Sequence, residues 1–253
     1  MTQNDLPLKG IIFDKDGTLF DYAQVWGEVL VESISEAFIT LGKPEKESAK
    51  IAMLRMLGID HEGKVIPKGL VFTHKKVTII LRFILFCLRY RINALKAFKA
   101  YQDNVRNSEP LIKEKLNTMD FSIQQELFRL LKQKEYHIGI ITSDTTSSTH
   151  LFLSMMGLKD QIDFISARDS GYKRKPNADS FQVFCSLFGL DNRQVAVVGD
   201  TGTDMKFAKN CKAGYRIALL SGSNNKKLLE KKSDVLYDDI SGLLTDKRLF
   251  LSV

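Results

Sequence analysis

Three short apolar runs, each closed by a polar residue, constrain this chain more than any other feature. Lys9–Phe13 (KGIIF) ends at Asp14, His137–Ile141 (HIGII) at Thr142, and Val195–Val198 (VAVV) at Gly199-Asp200. An apolar run of this length without alternation reads as a strand covered on both faces. Asp163–Ser166, Arg216–Leu220 and Asp234–Tyr237 are weaker strand candidates. Helical patterns lie between them. Ser122–Lys134 carries Leu127, Leu130 and Leu131 at helical spacing, and Ser122 with Gln125 has the form of a capping box at its start. Thr145–Met156, Asp179–Phe188 and Thr203–Lys209 are further helices. Strand alternating with helix predicts an α/β fold with a parallel, doubly wound sheet.

The alternation fails between Phe20 and about Ile112. That stretch reads as helix over Ala23–Leu41, Glu45–Leu57 and Thr73–Tyr101, with a loop at Gly58–Gly69. The expected organisation is a discontinuous α/β core, 1–20 with 113–253, and a helical domain, 21–112, inserted after the first strand. A chain of 253 residues, 44% of them hydrophobic, has enough apolar material for a core plus an insert.

The formal charge of +7 has one source. Lys64–Tyr101 holds nine Lys or Arg and no acidic residue, so outside it the chain is slightly acidic. Basicity confined to one region argues against a nucleic-acid partner. The segment has three readings: a solvated or amphipathic helix packed on its neighbours, a surface that attracts anionic substrates, or a peripheral contact with an acidic membrane. Arg82, Arg89 and Arg91 flank Ile80, Phe83, Ile84, Phe86 and Leu88, which suits the last. Val77–Leu88, the most apolar stretch, is interrupted by Arg82 and falls short of the ~20 residues that span a bilayer. Cys87, Cys185 and Cys211 show no metal-knuckle or redox spacing, and MTQNDLPLKG has no leader pattern. Reduced thiols and a cytoplasmic location are expected.

Ligands of parallel sheets bind beyond the C-terminal ends of the strands. One cleft should therefore hold Asp14 and Asp16, then Thr142 and Ser143, then Asp200 and Asp204. Lys175, in Lys173-Arg174-Lys175-Pro176, follows the weaker third strand. Several carboxylates in one cleft repel one another and call for a cation. An oxygen-only donor set suits a hard ion, Mg²⁺ above all where phosphate is handled. His61, His74, His137 and His150 form no cluster in the sequence.

These residues resemble the motifs of the haloacid dehalogenase superfamily. Asp14-Lys15-Asp16-Gly17-Thr18-Leu19 is similar to its DxDGT motif, Thr142 to its second, Lys175-Pro176 to its third, and Gly199-Asp200-Thr201-Gly202-Thr203-Asp204 to its GDxxxD motif. Their order and separations resemble the phosphoglycolate-phosphatase-like group, which carries a helical cap between motifs one and two. The resemblance implies hydrolysis of a small phosphorylated metabolite. Asp14 would be the nucleophile, and Asp16 the general acid and then base. Thr142 would hydrogen-bond a phosphoryl oxygen, and Lys175 would offset charge on the phosphate and on Asp14. Gly17 would let the backbone turn tightly beside the phosphate, where a Cβ could clash. Asp14, Asp200 and the backbone carbonyl of Asp16 would hold Mg²⁺, and Asp204 would be a further ligand or orient one.

There are departures. Ser143-Asp144 stands where Asn usually follows the Thr, Gly202 adds flexibility to the fourth motif, and Lys173 is a second candidate for the lysine. Asp204 equally suits a helix N-terminal carboxylate. Phe20 and Trp26 read as hinge or core packing. A phosphonate hydrolase, with Lys75 or Lys76 as its cap lysine, and a phosphomutase share these motifs. A non-catalytic binding protein would share the scaffold.

Overall fold

The computed structural model describes residues 6–42, 46–60, 76–222 and 225–250. Its strands are β1 (Gly10–Phe13), β2 (His137–Ile141), β3 (Phe164–Ser166), β4 (Val195–Gly199), β5 (Tyr215–Leu219) and β6 (Val235–Tyr237). Its helices are α1 (Tyr22–Thr40), α2 (Glu47–Leu57), α3 (Lys76–Arg89), α4 (Ala94–Asn107), α5 (Glu109–Asn117), α6 (Ser122–Gln133), α7 (Thr146–Met155), α8 (Asp179–Phe188), α9 (Gly202–Asn210), α10 (Lys226–Lys232) and α11 (Lys247–Phe250). The chain divides into two compact units: the stretch through Asp21 together with Met119 onward, and Tyr22–Thr118.

The first unit is a six-stranded parallel sheet in the order β3-β2-β1-β4-β5-β6. β1 lies inside it, with Ile11 opposite Ile138 of β2 on one side and Ala196 of β4 on the other. The strand order reverses at β1, and a ligand crevice opens where such a reversal occurs. The unbroken apolar runs have the expected cause: β1 and β4 are buried along their whole length. Phe181, Phe184 and Phe207 from α8 and α9 cover Ile12, Val195 and Val197 on one face.

The start of α6 differs from the capping box expected at Ser122 and Gln125. Asp120, two residues upstream, accepts the Ser122 N–H at 2.9 Å and the Ser122 hydroxyl at 3.0 Å. Gln125 instead donates through Nε2 to the Met156 carbonyl at 2.9 Å. The carboxylate already satisfies the first donor of the helix, which frees Gln125 to reach out.

The second unit is helical. Leu30, Ile34 and Phe38 of α1, Met53 and Leu54 of α2, and Phe86 and Cys87 of α3 share one core. The continuous helix expected over Thr73–Tyr101 is two helices. Arg91 takes φ 52°, its N–H reaches Leu88 O at 3.2 Å, and Ile92 N–H reaches Cys87 O at 2.8 Å. These two bonds close α3 in the manner of a Schellman motif. The Asn93 side chain then accepts the Lys96 N–H at 3.0 Å and caps α4. Only one side of α3 packs inward: Phe86 and Cys87 are buried, while Leu85 and Leu88 are 63% and 70% exposed. Gly58, at φ 93°, closes α2. The rest of the loop expected to Gly69, and the start of the helix expected from Thr73 through Lys75, lie outside the described residues. Among the described residues no helix is long and apolar enough to cross a membrane.

Candidate active site

The site is built at the reversal point. Asp14 directly follows β1, and its N–H continues the strand pairing to Val198 O at 2.9 Å. The chain then turns sharply, with Leu19 N–H on Lys15 O at 2.9 Å and Gly17 N–H on Phe20 O at 3.1 Å. Gly17 sits at φ 82°, where side chains are disfavoured. A Cβ there would lie 2.7 Å from Asp200 Oδ2 and 2.9 Å from Gly222 Cα. The neighbours that demand glycine are therefore the Asp200 carboxylate and the Gly222 backbone. Thr18 Oγ1 donates to Asp200 Oδ1 at 3.3 Å, and Ser221 Oγ fastens the turn through Gly17 O at 2.7 Å.

Asp200 directly follows β4, and Thr201 caps α9. Asp204 Oδ2 accepts the Thr201 N–H at 3.0 Å and also the Thr201 hydroxyl, while Thr201 Oγ1 takes the Asp204 N–H at 3.2 Å. This reciprocal cap fixes Asp204 and leaves its Oδ1 facing the site. At Gly199 a Cβ would meet Asp204 Cβ at 2.3 Å, so the close approach of α9 requires a glycine there. At Gly202 a Cβ would lie 2.8 Å from Leu228 Cδ2 of α10, the movable end of a side chain.

Lys175 comes from the segment between β3 and α8. Its ammonium lies 2.6 Å from Asp14 Oδ1 and 2.6 Å from Asp204 Oδ1. Lys173 is exposed, and its backbone N–H bonds Asp179 Oδ2 at 3.0 Å. Lys175 is thus the lysine of the cluster. Ligand oxygens of Asp14, Asp200 and Asp204 all lie within 4.8 Å of one another. Burial pushes the Asp14 carboxyl up to about 7; Lys175 opposes this, and Asp204 adds to it. Asp200 is also pushed up, by burial first and then by Asp204 and Asp14. Burial alone would pull Lys175 down, but Asp14 and Asp204 outweigh it and hold the ammonium charged. Three carboxylates against one ammonium leave an excess of negative charge in a desolvated pocket. An oxygen-only donor set in that state fits a hard divalent cation.

The other candidates are arranged around this group. Thr142 is buried at the end of β2, where its Oγ1 accepts the Asp144 N–H at 3.1 Å and keeps its own proton to donate. Ser143 is exposed. The Asp16 carboxylate stands outside the three-carboxylate group and bonds Lys15 Nζ at 2.8 Å. Lys15 is fully buried and also pairs with Asp144 at 3.0 Å. Phe20 is buried and stacks on Phe152, with centroids 4.9 Å apart, while Trp26 packs on the core of the second unit. Sequence reasoning passed over Lys15, Thr18, Asp144, Thr201, Ser221 and Gly222. Lys15 and Asp144 did leave a signal, opposite charges in two adjoining motifs.

With this geometry in view, the comparisons with known proteins are specific. The family model for haloacid dehalogenase-like hydrolases matches residues 8–212. A phosphoglycolate phosphatase of Haemophilus influenzae is 28% identical over 143 residues, 56% of this chain; the chain spans only 58% of that relative's length. A plasmid-encoded phosphoglycolate phosphatase of Cupriavidus necator is 24% identical over 98% of both chains. Among solved structures, a predicted phosphoglycolate phosphatase from Haemophilus somnus superposes with a TM-score of 0.66 at 20% identity, over 94% of this chain and 96% of that one. CbbY from Rhodobacter sphaeroides does so with 0.57 at 15% identity, over 93% and 96%. These two show a shared fold. Taken with the family match over most of its length, the chain belongs to the haloacid dehalogenase-like hydrolases.

Proposed function

We propose that the chain is a Mg²⁺-dependent phosphatase acting on a small phosphate monoester, with the first unit as catalytic core and the second as cap. The observation that carries this reading is the Asp14 carboxylate, placed at the end of the inner strand, held by Lys175 and grouped with Asp200 and Asp204. Asp14 and Asp200 would hold the ion, together with the Asp16 carbonyl, and Asp204 would bind or orient it. When bound, Mg²⁺ would supply charge neutralisation for the phosphate. Lys175 takes one Asp14 oxygen, which leaves the other to attack phosphorus as the bond to the ester oxygen breaks. Asp16 gives its proton to the departing alkoxide, which leaves as an alcohol. Asp16, now ionised, takes a proton from a water molecule as that water attacks the aspartyl-phosphate. The bond to Asp14 breaks, inorganic phosphate leaves, Asp14 returns as a carboxylate and Asp16 as the protonated acid. The Thr142 hydroxyl offers a hydrogen bond to a phosphoryl oxygen. Positioning and charge neutralisation are most of what such transfer requires.

The names of the sequence relatives make phosphoglycolate the first substrate to try. The test is release of p-nitrophenol from its phosphate ester, and of phosphate from phosphoglycolate, with and without Mg²⁺. Asp14→Asn should abolish turnover and keep a native circular dichroism spectrum, because an amide is a poor nucleophile and a weak ligand. Mg²⁺-dependent turnover by the purified variant would overturn the assignment.

A further inference from the structure

The residue between the two aspartates of the first motif has no part in the mechanism above. We propose that Lys15 is a positioning residue: braced by Asp144, it holds the Asp16 carboxylate in the orientation from which a proton is delivered to the leaving group. The proposal rests on Asp16 being the acid.

A lysine with no exposed surface is costly, and an apolar side chain of its size would fill the same space more cheaply. The surroundings show what this ammonium is turned toward. Phe152 lies beneath it, with Nζ 3.9 Å from the ring centroid, and Phe20 lies 5.2 Å away. The rings close off the apolar side. Asp16 at 2.8 Å and Asp144 at 3.0 Å meet the ammonium from other directions. Asp144 is anchored independently of Lys15. Its Oδ1 accepts the Thr145 N–H at 2.7 Å, its N–H bonds Thr142 Oγ1 at 3.1 Å, and its carbonyl accepts the Arg168 N–H at 2.7 Å. A fixed carboxylate at the end of β2 thus holds an ammonium, and the ammonium holds a carboxylate whose side chain is still 25% exposed. Only some rotamers of an aspartate aim at the ester oxygen, and the contact with Lys15 favours one of them.

The test separates positioning from packing. Lys15→Met keeps the volume and removes the charge. It should lower kcat/KM for glycerol 2-phosphate at least ~10-fold, within the range of lost general acid catalysis, and for p-nitrophenyl phosphate far less. In an Asp16→Asn background, Lys15→Met should cause no further loss on the alkyl ester. Asp144→Asn should show the same preference at smaller size, and it carries the test if Lys15→Met does not fold. Equal losses on both esters, or additive losses in the Asp16→Asn background, would overturn the proposal. If Asp16→Asn itself shows no preference between the esters, Asp16 is not the acid and both assignments fall. A preference in Asp16→Asn that is absent from the Lys15 and Asp144 variants removes Lys15 alone.

Discussion

A carboxyl group that gives a proton in one half of a reaction must take one back in the other, so it needs contact with both ester and water. Asp16 keeps 25% of its side chain exposed, whereas Asp14 keeps 12% and Asp204 3%. That ordering suits an acid–base residue beside a desolvated nucleophile. Asp16→Asn should therefore slow alkyl phosphates by ~10²–10⁴-fold and aryl phosphates much less, since phenolates depart with little protonation. Steady-state kcat/KM on one ester of each kind checks this, and matching losses would count against it. At this scale the carboxylates and Lys175 were legible because the chemistry needs charged groups at strand ends. What encloses them was not. Gly17 was read as allowing a tight turn, and it takes φ 82°, but the atoms its Cβ would strike in Asp200 and Gly222, far along the chain, were not legible. Nothing local in a sequence announces which distant carboxylate a glycine must let past.

Strands were legible as elements because β1, β2 and β4 are buried, and burial on both faces writes an unbroken apolar run. The gap between α3 and α4 was not, because its left-handed residue is Arg91 rather than glycine. The available signal was Asn93, a residue type that favours helix starts. If Asn93 caps α4, Asn93→Ala should cost the second unit ~1 kcal/mol. Chemical denaturation followed by far-ultraviolet circular dichroism measures it, and a loss below ~0.3 kcal/mol would show that the cap contributes little. Helical periodicity found an apolar stripe in the basic segment but not which part of it packs. The segment is apolar around most of its circumference, so one stripe meets the core through Phe86 and Cys87 while Leu85 and Leu88 face solvent.

Across the whole molecule, a buried carboxylate outside the site ties the far edge of the sheet to the end of the described chain. Asp246 Oδ2 accepts the hydroxyls of Tyr215 on β5 and Tyr237 on β6, each at 2.9 Å, and Oδ1 takes the N–H of Arg248 at 2.8 Å and of Leu249 at 3.1 Å. Burial, with the bonds to Asp246, pushes the Tyr237 hydroxyl up to about 12. A phenol raised in the fold contributes stability that is complete below its ordinary value near ~10 and is lost as pH climbs toward its folded value. Thermal stability should fall between pH ~10 and ~12, and Tyr237→Phe should flatten that fall. Asp246→Ala should cost ~2–3 kcal/mol at neutral pH by leaving two phenols without their acceptor. An unchanged alkaline slope in Tyr237→Phe would remove this account.

The sheet order has one more consequence, for the growing chain on a ribosome. β1 emerges first, but its neighbours β2 and β4 are made only after all of Tyr22–Thr118 has passed. The helical unit can close on its own local contacts while the strand that leads into Asp14 still waits for both partners. Asp14 is thus made before the helical unit and reaches its place only after the strands beyond that unit have been made.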